Sequence, residues 1–139
     1  MPIIVVARLR LREPSLLDEF FTHAAAVIEQ AQKTDGNLGV DALAEVHDVW
    51  WDVTAWQSKE SIEPFMNTEP HLGTRALADH LCDEATFVDW EQDSAELPDW
   101  QTAWRRLVAD GESATLSNAS EANGTRDFPA PVEPPASVA

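Results

Sequence analysis

The chain has 139 residues, which is enough for one domain with a core of ordinary size. Its formal net charge of −16 at pH 7 argues against binding to nucleic acid or to anionic membranes. No apolar run approaches ~20 residues, and the single Cys82 cannot form an intramolecular disulfide, so we expect a cytoplasmic protein with Cys82 in its core.

The first half of the chain alternates between strand and helix patterns. Side chains alternate in character over residues 3–11, and apolar residues recur at helical spacing from Leu16 to about Lys33. Apolar and polar side chains alternate again over residues 38–46. A tryptophan-rich strand follows at residues 49–56, so the two segments are predicted to form a hairpin. His23 lies beside the helical stripe, and we interpret it as a boundary or solvent position rather than a ligand.

The tryptophan-rich strand and the helices after it carry the candidate site. Alternation places one set of side chains on a single face of this strand: Trp50, Asp52, Thr54 and Trp56. Ser58 can cap a following helix, and Pro64 should bend or break that helix, so residues 59–82 are predicted as two helical pieces. His71 falls in the first turn of the second piece, where it can face the strand and complete a pocket wall.

A fourth strand and one more helix complete the predicted domain. Residues 85–91 alternate, with Trp90 on the face opposite Ala85, and a further helix begins near Asp99 and ends at Gly111. The order β-α-β-β-α-β predicts an α+β, ferredoxin-like fold over residues 1–110, with an extra C-terminal helix. Residues 111–139 are rich in Pro, Ala and Ser and poor in large apolar residues, so we predict a disordered acidic tail.

The segment after the third strand resembles the antibiotic biosynthesis monooxygenase group of dimeric α+β barrels. Five residues carry the resemblance, in the pattern WxSxExxxxF followed closely by a histidine: Trp56, Ser58, Glu60, Phe65 and His71. The order of the predicted strands and helices extends the resemblance over residues 1 to about 92. The resemblance implies a homodimer whose two sheets pack face to face. The predicted fold supports this expectation, because helices cover only one face of the sheet. The other face, which includes the apolar residues Ile4 and Val6, would be exposed to solvent in a single chain.

Several activities occur in the resembling family. Cofactor-independent oxygenases oxidise electron-rich aromatic polyketides, and other relatives are isomerases or cyclases that only move protons. A heme-degrading branch uses an Asn, a Trp and an axial His; these positions fall here on Ala7, Trp56 and Arg75, so two of the three do not match. A binding or scaffold dimer that uses the same pocket without turnover is a further alternative.

The oxygenase hypothesis assigns roles to particular side chains. His71 is the candidate general base and Asp52 a second catalytic group, half-buried with a raised pKa. The candidate substrate-binding residues are Trp56, Trp50, Trp90, Phe65 and Arg75. We predict no cofactor and no metal, because no phosphate loop or zinc motif occurs, and His71 and His80 fall on opposite sides of one helix. The expected ligand is a small aromatic molecule.

Overall fold

An antiparallel sheet organises residues 1–45 and 48–132, the part of the chain that the computed structural model describes. The elements are β1 (Ile3–Leu11), α1 (Leu17–Lys33), β2 (Asn37–Glu45), β3 (Val49–Trp56), α2 (Lys59–Met66), α3 (Thr74–Leu81), β4 (Cys82–Glu91), α4 (Trp100–Asp110), β5 (Glu112–Ser113) and α5 (Glu121–Thr125). Short 3-10 turns precede α1 and α3. Within residues 1–45 and 48–132, no helix is both long and apolar enough to cross a membrane.

The strand order β2-β3-β1-β4-β5 confirms the predicted ferredoxin-like fold. β1 is the central strand and pairs with both β3 and β4, so that Val6 lies opposite Val53 on one side and Val88 on the other. The predicted hairpin of β2 and β3 is present. At the end of α1 the chain turns through Gly36, whose φ of 90° favours glycine.

Three helices cover one face of the sheet. α1 and α3 pack against apolar side chains of β1 and β4, including Leu9 and Ala85. The two helical pieces predicted for residues 59–82 are present, as α2 and α3. α2 contains Pro64 and continues to Met66. This three-helix face is the one that carries Asp52.

The opposite face of the sheet is covered by the same chain. Ile4, Val6 and Trp51 are completely buried, and they belong to one core cluster with Ala103 and Leu107 of α4. The sequence predicted that this face would be exposed to solvent in a single chain. That prediction is wrong, because α4 packs across the face. The homodimer stays a prediction, but the open face that motivated it is occupied.

The predicted disordered tail is wrong for residues 111–132. β5 extends the sheet beside β4, and the segment after it returns over α4, where Phe128 is only 3% exposed. The composition is poor in apolar residues, but polar contacts fix the path of the backbone: Trp104 Nε1 donates to the Phe128 carbonyl at 2.9 Å. Asn123 is buried, accepts from the Ala85 amide and donates to the Ala114 carbonyl, both at 2.9 Å. Residues 133–139 lie outside the described part of the chain.

We expect Phe128→Ala to lower the free energy of unfolding by about 3 kcal/mol, because truncating a buried Phe removes apolar burial and leaves a cavity. Val132→Ala is the matched control, since Val132 is 67% exposed and its truncation should change stability by less than about 0.5 kcal/mol. Urea unfolding followed by tryptophan fluorescence measures both. Equal stability of the two variants would contradict the packed arrangement of residues 111–132.

Candidate active site

A cavity of about 100 Å³ lies between the sheet and the three helices α1 to α3. Its walls are mostly apolar and include the rings of Phe20, Trp50 and Phe65. Five polar side chains also line it: His23, Asp52, Thr54, His71 and Thr74. An apolar cavity with a few convergent polar groups is the usual form of a small-molecule site.

Asp52 reaches this cavity from the middle of β3. Its neighbours across the sheet are Ala7 on β1 and Ala42 on β2, and these small side chains leave room beside the carboxylate. Trp50 Nε1 donates to Asp52 Oδ2 at 2.9 Å. Burial nevertheless raises the pKa of Asp52 from 3.8 to about 6, because the charged form loses its hydration. Asp52 therefore changes protonation state close to neutral pH.

The backbone around His71 is held by a glutamine of α1. The His71 amide donates to Gln30 Oε1 at 2.9 Å, and Gln30 Nε2 donates to the carbonyls of Phe65 and Thr68 at 3.1 and 3.0 Å. One side chain thus satisfies backbone groups on both sides of the α2–α3 connection. This clamp places His71, which lies in the 3-10 turn before α3, against the cavity.

The imidazole of His71 is in the state that a base requires. Burial lowers its pKa below the usual value, and the Met66 backbone opposes this shift less strongly, so the ring is neutral at pH 7. The ring packs on Phe65 with centroids 4.4 Å apart. Nδ1 is shielded from solvent and has no hydrogen-bond partner in the described part of the chain.

His23 also lines the cavity, and it is half-buried, which agrees with the boundary position that the sequence predicted. Its Nε2 lies 2.8 Å from Thr74 Oγ1, which joins α1 to α3 beside His71. Burial lowers the pKa of His23, and Glu69 opposes this shift. The sequence contains a signal for the place of His23 in the cavity lining. His23 follows Phe20 by three residues and precedes Val27 by four, so all three share one face of the helix.

Four of the predicted site residues are brought together. Trp50, Asp52, Phe65 and His71 all line the cavity, although they come from a strand, a helix and a turn. Trp56 lies outside the lining and is completely buried. It packs on Phe65 with centroids 5.0 Å apart, so its role is to support the wall.

Two predicted substrate-binding residues lie elsewhere. Trp90 is on the face covered by α4, because its register partner on β1 is Ile4, and it packs beneath the guanidinium of Arg106 at 4.6 Å. Arg75 is exposed on α3. The inward stripe of that helix consists of Thr74, Leu77, Ala78 and Leu81, and Arg75 is turned about 100° away from Thr74. Neither Trp90 nor Arg75 lines this cavity.

The comparison with protein families identifies one domain. The model described as antibiotic biosynthesis monooxygenase matches residues 2–77, which is more than half of the chain and includes Asp52 and His71. A search of curated proteins finds no match.

Solved structures share the fold at low sequence identity. Rv0793 from Mycobacterium tuberculosis is 18% identical with a TM-score of 0.61, covering 69% of this chain and 100% of that one. A conserved protein from Methanosarcina mazei Go1 is 18% identical with a TM-score of 0.59, covering 67% and 94%. A mutant of SnoaB, a cofactor-independent oxygenase from Streptomyces nogalater, is 12% identical with a TM-score of 0.56, covering 67% and 94%. At these identities the likeness shows the fold alone.

We expect Asp52→Asn to stabilise the chain by about 3 kcal/mol above about pH 7 and to leave its stability unchanged below about pH 4. The sign follows from the raised pKa of Asp52: the folded chain keeps a proton that the unfolded chain releases, so stability is lost as pH rises from 3.8 to about 6. Asp89→Asn, at an exposed carboxylate of β4, is the control. Urea unfolding at several pH values measures the difference; a pH-independent effect of Asp52→Asn would contradict the shift.

Proposed function

Because the chain belongs to the antibiotic biosynthesis monooxygenase family, we propose that it is a cofactor-independent oxygenase that acts on a small aromatic substrate. One observation carries the proposal: Asp52 and His71, whose pKa values are both shifted by burial, line the same apolar cavity. Perturbed titratable groups that converge in a cavity are typical of catalytic sites. SnoaB, which has the same fold, is described as a cofactor-independent oxygenase.

The size and lining of the cavity favour an aromatic substrate with few rings. The volume is about 100 Å³, and an engineered apolar cavity of about 150 Å³ is known to accept benzene. The rings of Phe20 and Trp50, with centroids 5.7 Å apart, supply a wall for edge-to-face contact. The cavity is smaller than that example, so it favours a substrate with one ring, and a polycyclic substrate would require the lining side chains to move apart.

The chemistry that fits these groups begins with proton removal. Neutral His71 accepts a proton from a phenol or enol, and the resulting anion is electron-rich enough to pass one electron to O₂. Recombination of the two radicals forms a hydroperoxide on the substrate carbon, and loss of water then leaves a ketone. The balance is R₂CH₂ + O₂ → R₂C=O + H₂O, in which two electron pairs of the substrate reduce O₂ and no external reductant is consumed.

Asp52 is suited to hold the substrate and to return a proton. With a pKa of about 6 it is mainly a carboxylate at pH 7, and Oδ2 is already engaged by Trp50. A substrate hydroxyl can donate to the carboxylate and so be oriented toward His71. Its pKa also allows Asp52 to carry the proton that leaves with water, since a group near neutrality both accepts and donates a proton readily.

Oxygen uptake tests the proposal. Purified protein is supplied with anthrone, which has the CH₂ group that the balance requires, and oxygen uptake above the rate of uncatalysed oxidation is recorded with an oxygen electrode; a one-ring hydroquinone serves separately as a binding probe. Quenching of tryptophan fluorescence, which Trp50 at the cavity wall should report, measures binding at the same time. Quenching without uptake would overturn the oxygenase and support a binding protein. Substrate isomerisation without uptake would support a proton-moving enzyme of the same family.

We expect His71→Ala to lower turnover by about 10²–10⁴, the usual scale for the loss of a general base, while the chain stays folded. His71→Gln separates two roles, because glutamine can form a hydrogen bond but cannot take up a proton. His80→Ala, at an exposed histidine near the end of α3, is the matched control and should leave turnover unchanged. Full activity of His71→Gln would show that His71 only positions the substrate.

A further inference from the structure

We infer that the cavity selects aromatic molecules that arrive uncharged and rejects those that carry a carboxylate, and that Asp52 is the residue that determines this selection. The inference rests on the proposed function, because it takes the same cavity as the substrate site. It goes beyond that proposal by naming the charge that a substrate must have.

The cavity has no lysine or arginine in its lining, as far as the described part of the chain extends. Positions 46–47 and 133–139 contain neither residue type. On the central strand, Arg8 belongs to the opposite face of the sheet, where it contacts Glu84 at 3.2 Å and lies over the Phe128 ring. Arg75 of α3 is exposed and turned away from the cavity. A ligand carboxylate in the cavity would therefore find no permanently charged cation to pair with.

The two histidines of the lining do not supply a positive charge in the resting cavity. Burial lowers the pKa of His23 and of His71 below the usual value, so both rings are neutral at pH 7. A neutral imidazole can form a hydrogen bond with an anion, but it cannot offset the free energy that the anion loses with its hydration.

Backbone N–H groups at the start of α3 already have acceptors. The amides of residues 71–74 donate in turn to Gln30 Oε1 and to the carbonyls of Thr68, Pro70 and His71. The first three of these hydrogen bonds measure 2.9, 3.1 and 3.2 Å. The start of a helix is often an anion site because its N–H groups are free, and here these four are engaged.

Asp52 adds a negative charge to this apolar space. Its side chain lines the cavity from the middle of β3, and Trp50 Nε1 donates to Oδ2 at 2.9 Å. With a pKa of about 6, the group is mainly a carboxylate at pH 7. A second carboxylate would lose its hydration on entering the cavity and would also be repelled by the first. Asp52 therefore opposes the binding of anions more strongly than an apolar lining alone.

A substrate that arrives uncharged avoids both costs. Its hydroxyl can donate to Asp52, and the anion that reacts with O₂ forms only when a proton passes from the substrate to His71. The imidazole ring gains one positive charge as the substrate gains one negative charge, so the total charge in the cavity does not change. The imidazolium is the cation that the resting cavity lacks, and it is present only while the substrate anion is present.

A matched pair of one-ring probes tests the selection. Benzamide and benzoate have nearly the same shape, and only benzoate is charged at pH 7. Each is titrated into the protein, and the NMR chemical shift of the His71 imidazole reports binding at the cavity. We expect benzamide to bind at least about tenfold more tightly than benzoate. Equal affinities would overturn the inference, and so would the failure of both probes to shift the His71 signal.

Asp52→Asn tests the residue to which the selection is assigned. Asparagine keeps the shape of the side chain and removes the charge, so the affinity for benzoate should rise about tenfold while that for benzamide changes little. Asp110→Asn is the matched control, because it removes the same charge at an exposed position of α4, on the opposite face of the sheet. An unchanged ratio of the two affinities in Asp52→Asn would show that Asp52 does not determine the selection.

These measurements require no turnover, so they separate this inference from the oxygenase proposal. A protein that prefers benzamide but consumes no oxygen with anthrone keeps the charge selection and loses the oxygenase activity. A protein that consumes oxygen but binds the two probes equally keeps the activity and loses the charge selection.

Discussion

The central constraint on this molecule is a sheet with two apolar faces, both of which must be removed from water. β1 shows this most clearly, because Val6 points to one face and Ala7 to the other, and both are buried. Apolar burial contributes roughly 25 cal/mol per Å², so neither face can stay exposed without a large loss of stability. The three helices α1 to α3 cover one face, and α4 with the segment after it covers the other.

The two covers differ in how completely they fill the space over the sheet. Beneath α4 the side chains are large and close-packed, as Trp51 and Trp100 show. On the opposite side, the alanines at positions 7 and 42 flank Asp52, and the space that larger residues would fill remains as the cavity. The cavity thus exists because side chains do not completely fill the layer between the sheet and α1 to α3. The close-packed layer between the sheet and α4 stabilises the fold. A polar group such as Asp52 can lie in the incompletely filled layer between the sheet and α1 to α3, but its pKa is raised there.

The fold and about half of the candidate site could be predicted from the sequence, for a clear physical reason. Alternation and helical spacing reveal which residues share a face, so Trp50 and Asp52 were placed together correctly. They do not reveal which helix covers which face, and Trp90 was therefore assigned to the wrong side of the sheet. Arg75 was chosen by spacing from a remote family pattern, and the local stripe of α3 turns it outward. His23 was predicted correctly at a boundary position, but its place in the cavity lining was not predicted, because one polar residue beside an apolar stripe does not show which space it faces.

The packing of residues 111–132 could not be inferred from composition. Large apolar residues are few there, and the usual expectation for such a segment is disorder. The segment packs because its apolar residues, above all Phe128, meet a surface prepared by α4, and because Asn123 and Arg126 satisfy backbone groups that its path would otherwise bury unpaired. These interactions connect residues distant in sequence, so no local window of the sequence contains them.

The position of β1 at the centre of the sheet affects the order in which the chain can fold. β1 must pair with β4, and Ile3 lies opposite Glu91, so this half of the sheet cannot form until the whole intervening chain is available. Contacts between such distant segments are slow to form, because the entropy of closing the loop must be overcome before the pairing stabilises it. During synthesis, β2 and β3 can form the first hairpin, and β1 can pair with β3, before β4 is available. The other edge of β1 stays unpaired until then, and an unpaired strand edge favours association with other chains.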